Sequence, residues 1–233
     1  MEQKETEKKQ KKISRQQIMR MLIYLAGMVI LSFGITMNTK TGLGVSPIIS
    51  IAYSVSIIWN LNFGNTTMVL YCVLVIAQFI IRGKDKKWLD LLQIPVALLV
   101  SQLLNLFDWL MQDFHFESFW INLAFLILAI LLTGLGVVLS VDMRLVPNPG
   151  DGIVQTISDK SGKSLGLTKN LFDIGCIIIT IALGLTMKGK LVGVGLGTIL
   201  AVIGVGRAIA LFNLLLWGPI TKVAGLMNRK LAG

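Results

Sequence analysis

Long apolar runs separated by short polar stretches recur along this chain of 233 residues. Six of the runs approach the length, about 20 residues, at which a helix crosses the hydrocarbon core of a bilayer. They lie at Ile18–Met37, Thr67–Ile81, Leu89–Leu110, Phe119–Val141, Lys169–Met187 and Leu191–Trp217. The pattern therefore predicts an all-α integral membrane protein with six transmembrane helices.

Two shorter segments, Pro47–Trp59 and Pro149–Lys160, lie between the long runs. Each begins with a proline that follows a serine or an asparagine, which is typical of a helix N-terminus. About 13 residues of helix reach only roughly 20 Å, which is too short to cross the bilayer. These segments are predicted to be re-entrant half-helices, which enter and leave the membrane on the same side.

The two short segments occupy matching positions in an internal repeat. A shift of 102 residues aligns Gly34 with Gly136, Leu43 with Leu145, Pro47 with Pro149, Ile51 with Ile153, Ser56 with Ser158, Gly64 with Gly166 and Thr66 with Thr168. We predict a first membrane repeat over residues 18–116 and a second over residues 117–218. Three crossings per repeat would invert the second repeat relative to the first, as in many transporters.

Composition supports the membrane class, because 54% of the residues are hydrophobic, 15% are charged and the mean hydropathy is +0.75. If both termini are cytoplasmic, all 22 lysines and arginines fall on the cytoplasmic side except Lys40, Lys188, Lys190 and Arg207. This distribution follows the positive-inside rule. The net charge of +10 is therefore explained by membrane topology and does not indicate a nucleic-acid partner. It predicts a multi-pass protein of the cell (plasma) membrane, in contact with the lipid bilayer, with cytoplasmic tails at residues 1–17 and 219–233.

Several motifs occur in a fixed order along the chain. "GLGVSP" follows the first span, "PGDGI" occupies the matching place in the second repeat, Lys169 and Asp173 lie in the next span, and "GVGLGT" opens the last. In these features the chain resembles the YczE/YyaS/YitT group of bacterial membrane proteins, and within it the YczE-like branch. The resemblance implies a multi-pass protein of a group often labelled as permeases, without an assigned substrate.

The amino ends of the half-helices are the first candidate site. Unpaired N–H groups and the positive end of the helix dipole suit an anion or a carbonyl group. Candidate substrate-binding residues are therefore Ser46, Pro47, Asn148, Pro149 and Asp151. Alternatively, Asp151 satisfies the N–H groups of its own helix, and the second amino end then binds no anion.

Asp173 and Arg207 are charged residues within predicted spans, where charge is costly and functional roles are common. They are predicted to form an intramembrane charge pair, which serves either as a gate or proton-coupled site or only as a structural ion pair. No spacing in the sequence suggests a metal site, a cofactor or a nucleophile beside a base, and we expect no enzyme.

Three functional hypotheses remain. The first is a transporter or permease for a small polar or anionic solute, with its site between the two repeats. The second is a membrane scaffold or regulator of a partner complex, which does not transport. The third is a channel that uses the paired half-helices as a filter. A homodimer is compatible with the glycine-rich helix faces.

Overall fold

The computed structural model describes residues 2–85, 88–114 and 117–226. This part of the chain is helical and forms no strand. The eight α-helices are α1 (Glu2–Lys40), α2 (Pro47–Trp59), α3 (Phe63–Arg82), α4 (Gln93–Leu110), α5 (Phe119–Val141), α6 (Pro149–Ser161), α7 (Leu165–Lys188) and α8 (Leu196–Val223), with two 3₁₀ turns between α3 and α4.

Six of these helices, α1, α3, α4, α5, α7 and α8, are long and apolar enough to cross a membrane. The other two, α2 and α6, have 13 residues each and begin at the prolines that the sequence indicated. The predicted class, an all-helical membrane protein with six long and two short helices, is confirmed. The inverted relation of the two repeats stays a prediction.

Several helix boundaries differ from the sequence-based prediction. Helix α3 begins at Phe63 rather than Thr67, α4 at Gln93 rather than Leu89 and α7 at Leu165 rather than Lys169, and α8 ends at Val223 rather than Trp217. Residues 2–17, predicted as a tail, continue α1 as helix, which suits a segment rich in lysine, glutamate and glutamine. The last span, predicted from Leu191, begins only at Leu196. Residues 191–195 form an irregular bent segment instead, because Gly193 accepts a backbone hydrogen bond of 3.0 Å from Val45 and has φ +76°, a conformation that favours glycine.

The centre of the bundle is the crossing of α1 and α5, where glycines bring the two backbones together. A Cβ atom on Gly34 would lie 2.7 Å from the backbone nitrogen of Thr133, whereas one on Gly27 would lie 2.7 Å from that of Ser140. Partner numbers fall along α5 as they rise along α1, so the two helices run antiparallel. The 102-residue shift pairs Gly136 with Gly34. It also pairs the residues of α1 that Gly136 contacts with the residues of α5 that Gly34 contacts.

Each short helix packs against a long helix of the other repeat, α2 against α7 and α6 against α3. Ser50 of α2 forms a hydrogen bond of 2.7 Å with Thr180 of α7. At the matching place, Gly152 of α6 faces Gln78 of α3, whose side-chain oxygen would lie 2.8 Å from an added Cβ. These four residues are two pairs in the 102-residue register, as a two-fold relation of the repeats would require.

Side-chain contacts show on which end of the bundle each short helix terminates. One end, here named the Lys40 face, holds the ion pair of Lys40 with Asp108 at 2.7 Å. Asn105, one turn from Asp108 on α4, accepts a hydrogen bond of 2.8 Å from the backbone of Gly64, just past the end of α2. Helix α2 therefore ends on the face where α1 ended.

Helix α6 behaves in the same way at the opposite end, here named the Asp85 face. Lys160, near the end of α6, pairs with Asp85 at 3.5 Å, immediately beyond α3. Arg20 of α1 donates to the backbone carbonyl oxygens of Met143 and Arg144, which follow α5. Both short helices therefore start inside the bundle and run outward. That they enter and leave a membrane on the same side stays a prediction.

The two halves differ in one respect. Helices α3 and α4 pack along each other, but their counterparts α7 and α8 have almost no contact within the described residues. Helix α8 packs mainly against α5, where Ala208 meets Gly134. An opening is left between α7 and α8.

Candidate functional site

The amino end of α6 lies deep inside the bundle. Asn148 caps this helix, since its side-chain oxygen accepts a hydrogen bond from the backbone N–H of Gly150 at 3.3 Å. Its amide nitrogen donates to the hydroxyl oxygen of Tyr71 at 3.3 Å. Tyr71 lies about 12 Å along α3 from Phe63, given the helical rise, and is 1% exposed. The cap is therefore near the middle of the predicted membrane thickness.

The amino end of α2 meets that of α6. A Cβ atom on Gly150 would lie 3.5 Å from the Cδ1 atom of Ile48, in the first turn of α2. Ser46 occupies the N-cap position of α2, but its side chain forms no capping hydrogen bond. The two helix starts thus differ, because the start of α6 is capped by its own asparagine and the start of α2 is not.

Both helix starts line one cavity of about 270 Å³ at the centre of the molecule. Of the residues predicted for the site, it is lined by Ser46, Pro47, Asn148, Asp151 and Asp173. Pro149 lies next to this lining, and its carbonyl oxygen accepts a long hydrogen bond of 3.5 Å from Gln78. The sequence therefore located residues that the fold brings together from α2, α6 and α7.

Apolar side chains from α1, α2, α5 and α8 form most of the remaining wall. The cavity also reaches Asn170 of α7 and Gly206 of α8, which are both exposed. It therefore opens to the surface of the bundle through the gap between α7 and α8.

The charged partner of Asp173 is Lys169, one turn earlier on α7, rather than Arg207. The lysine ammonium lies 3.2 Å and 3.4 Å from the two carboxylate oxygens, and the Asp173 side chain is only 4% exposed. Arg207 is exposed on α8 and does not line the cavity. The pair of Asp173 with Arg207 is absent from the described part of the chain because α8 stands apart from α7.

Asp151 adds a second carboxylate to the cavity and lies close enough to Lys169 and Asp173 to interact electrostatically with both. The N–H groups of Asp151 and Gly152 bond to the backbone oxygen of Asn148 at 2.9 Å and 2.8 Å. Asn148, and not Asp151, therefore caps α6, and Asp151 is free to contribute to the wall of the cavity.

We expect Asn148→Ala to lower the stability of the protein more than Ser46→Ala does. The first change removes a cap and a buried contact with Tyr71, and loss of such a cap costs about 1 kcal/mol. The second removes a hydroxyl that makes no capping bond. Thermal unfolding of both variants in detergent compares the matched positions directly, and equal losses would contradict the assignment of the two caps.

Lys169→Met is expected to lower the stability of the folded protein more than Arg207→Met does, because it leaves the buried Asp173 carboxylate without its cation. Adding Asp173→Asn to Lys169→Met should restore part of the lost stability, since the unpaired charge is then removed as well. Melting temperatures of the single and double variants measure this coupling. A larger loss from Arg207→Met would instead favour the pair that the sequence predicted.

Tyr71 and Lys169 are site residues that were not predicted as such. The repeat itself contains the signal for Tyr71, because the 102-residue shift pairs Tyr71 with Asp173, just as it pairs Ser46 with Asn148. All four residues line the cavity. For Lys169, the signal is the spacing of four residues to Asp173, which places both side chains on one face of a helix.

These features define a multi-pass helical membrane protein with a central cavity between two groups of helices. The chain belongs to a family of unknown function, DUF6198, which it matches over residues 18–214. It is also similar to the uncharacterized protein YyaS of Bacillus subtilis (strain 168), with 24% identity over 185 residues that cover 79% of this chain and 87% of that protein. The predicted resemblance to the YczE/YyaS/YitT group is confirmed through YyaS, and the assignment to the YczE-like branch stays a prediction. No solved structure matches the chain.

Proposed function

We propose that this protein is a transporter for a small solute, which binds in the central cavity between the two repeats. The observation that carries the proposal is the meeting of two half-helix starts, one from each repeat, at a single cavity near the middle of the bundle. Interrupted helices of this kind form the substrate sites of many transporters built from inverted repeats. Irregular backbone at membrane depth is tolerated where it lines such a cavity.

Contacts across the halves support the inverted repeat on which this function depends. The crossing of α1 with α5 and the packing of each short helix on the opposite half both follow the 102-residue register. A rocking motion of one half against the other would then open the same cavity toward either face. We further propose that the Asp85 face is cytoplasmic in the plasma membrane, because Arg20, Arg82 and Lys84 lie at this end of the bundle.

A cysteine accessibility experiment tests transport against the other two hypotheses. A single cysteine at Val205, which lines the cavity, is introduced into a Cys72→Ser/Cys176→Ser background. Vesicles of both orientations are treated with a membrane-impermeant thiol reagent, and cysteines at Leu61 and Lys84 mark the two faces. A transporter predicts labelling of Val205→Cys from both faces without a steady ion current across a planar bilayer.

The other outcomes favour different functions. Labelling from both faces together with a steady current would favour the channel. Labelling from one face only, or from neither, would contradict alternating access and favour the scaffold or regulator.

A further inference from the structure

We propose that the central cavity binds a monovalent organic cation with a small apolar body, a primary ammonium ion on one aromatic ring being the simplest example. This inference rests on the proposed transport site and adds the class of substrate. It replaces the anion that the helix starts alone suggested.

The first step is the charge of the cavity wall. Two carboxylates, those of Asp151 and Asp173, face a single ammonium group, that of Lys169. Lys169 binds both oxygens of Asp173, so this pair is neutral as a unit. The carboxylate that this pair leaves without a cation is that of Asp151.

The second step is the environment of Asp151. Within the described residues its carboxylate has neither a hydrogen bond nor an ion pair, although it lies in the first turn of α6, beside the buried cap Asn148. The positive end of the helix dipole offsets only part of such a charge. Carboxylates at membrane depth usually have a partner, and the cavity in front of Asp151 leaves room for a cation from outside the protein.

The third step is the shape and polarity of the remaining wall. Opposite the charged residues, the lining comes from apolar side chains, among them Leu31, Val137, Val202 and Ile209. A volume of about 270 Å³ lies just below the usual range for small-molecule pockets and suits a single ring rather than a large drug. A ligand that matches both walls carries one positive charge at one end and an apolar group at the other.

The fourth step is the access route. The cavity opens between α7 and α8, and the surfaces beside this gap carry exposed apolar residues such as Ile174, Ile178 and Ile203. An amphipathic cation partitions into the edge of a bilayer and can reach such an opening from the lipid.

The test compares three compounds of similar shape on the purified full chain in detergent, at neutral pH. Benzylamine carries an ammonium group, benzoate a carboxylate, and benzyl alcohol no charge. Calorimetric titration should detect saturable binding of benzylamine, with at least tenfold weaker binding of the other two. Asp151→Asn should weaken benzylamine binding by tenfold or more, whereas Asp85→Asn, which removes an exposed carboxylate outside the cavity, should leave it unchanged.

A second variant keeps the test decisive if Asp151→Asn does not fold. Val202→Phe fills the apolar side of the cavity while it retains all three charged residues, and it should also abolish benzylamine binding. Absence of saturable benzylamine binding, equal or tighter binding of benzoate, or unchanged binding by Asp151→Asn would overturn the cation assignment. None of these results bears on transport itself, which the labelling of Val205→Cys tests separately. Failure of the cation assignment is therefore distinguishable from failure of the transporter proposal.

Discussion

Gly136→Ala is expected to destabilise the folded protein by about 1–3 kcal/mol, although alanine is normally the better helix former. The added methyl group would contact the backbone nitrogen of Leu31 and lie 2.6 Å from its Cα atom. Backbone atoms of α1 cannot move away as a flexible side chain could. The crossing of α1 and α5 would therefore have to separate, and the apparent melting temperature in detergent should fall.

Gly175→Ala provides a matched control for this prediction. Gly175 lies within α7, and apart from the adjoining backbone of α7 no atom of the described residues comes within 4 Å of an added Cβ. The change should be neutral or should stabilise the helix by up to about 1 kcal/mol. Opposite signs for the two glycines are thus expected. A neutral Gly136→Ala would mean that α1 and α5 do not cross at backbone contact.

Gln78→Leu is expected to lower the stability of the folded protein by about 1–3 kcal/mol, because it leaves the buried amide of Gln93 without its partner. Gln78 of α3 and Gln93 of α4 exchange two hydrogen bonds of 3.0 Å and 2.9 Å, and both side chains are 0% exposed. Gly152 of α6 packs directly on this pair. The two amides therefore join three helices at the point where α6 enters the bundle.

The double variant Gln78→Leu/Gln93→Leu should recover part of the stability lost by either single change, since no glutamine amide is then left without its partner. Gln155→Leu serves as the control, because Gln155 is exposed on α6 and bonds only to Asp159 within its own helix. Thermal unfolding of the four variants measures the coupling. Strictly additive losses would contradict the reciprocal bonding of the two amides.

The sequence predicted the helices well because length and proline position are local properties. A long apolar run must cross the bilayer as a helix, and Pro47 and Pro149 mark helix starts that the structure reproduces. The start of the last helix was predicted too early, at Leu191. Residues near Gly193 are apolar enough for a span, but they bond to the chain near Val45, and hydropathy does not record such a non-local contact.

The sequence predicted how far along each helix the candidate residues lie, but it did not predict which side of each helix faces the cavity. The repeat located both helix starts, and helical rise placed Asp173 at a suitable depth. Which side of α8 would face inward, and whether α8 would touch α7, depended on the packing of Gly134 against Ala208. Arg207 was for this reason assigned to Asp173, whereas Lys169, on the same helix as Asp173, is its partner.

The most direct test of the central claim is a cross-link between the starts of the two short helices. Cysteines replace Ile48 and Gly150 in the Cys72→Ser/Cys176→Ser background, and a short bifunctional thiol reagent is added to the folded protein. Intact mass should reveal rapid linkage of this pair, because the side chain of Ile48 lies 3.5 Å from the Cβ position of Gly150. The control pair at Ile48 and Ser161, at the far end of α6, should not link. Failure of the first pair to link, or equal linkage of the control, would contradict the meeting of the two half-helices at one cavity.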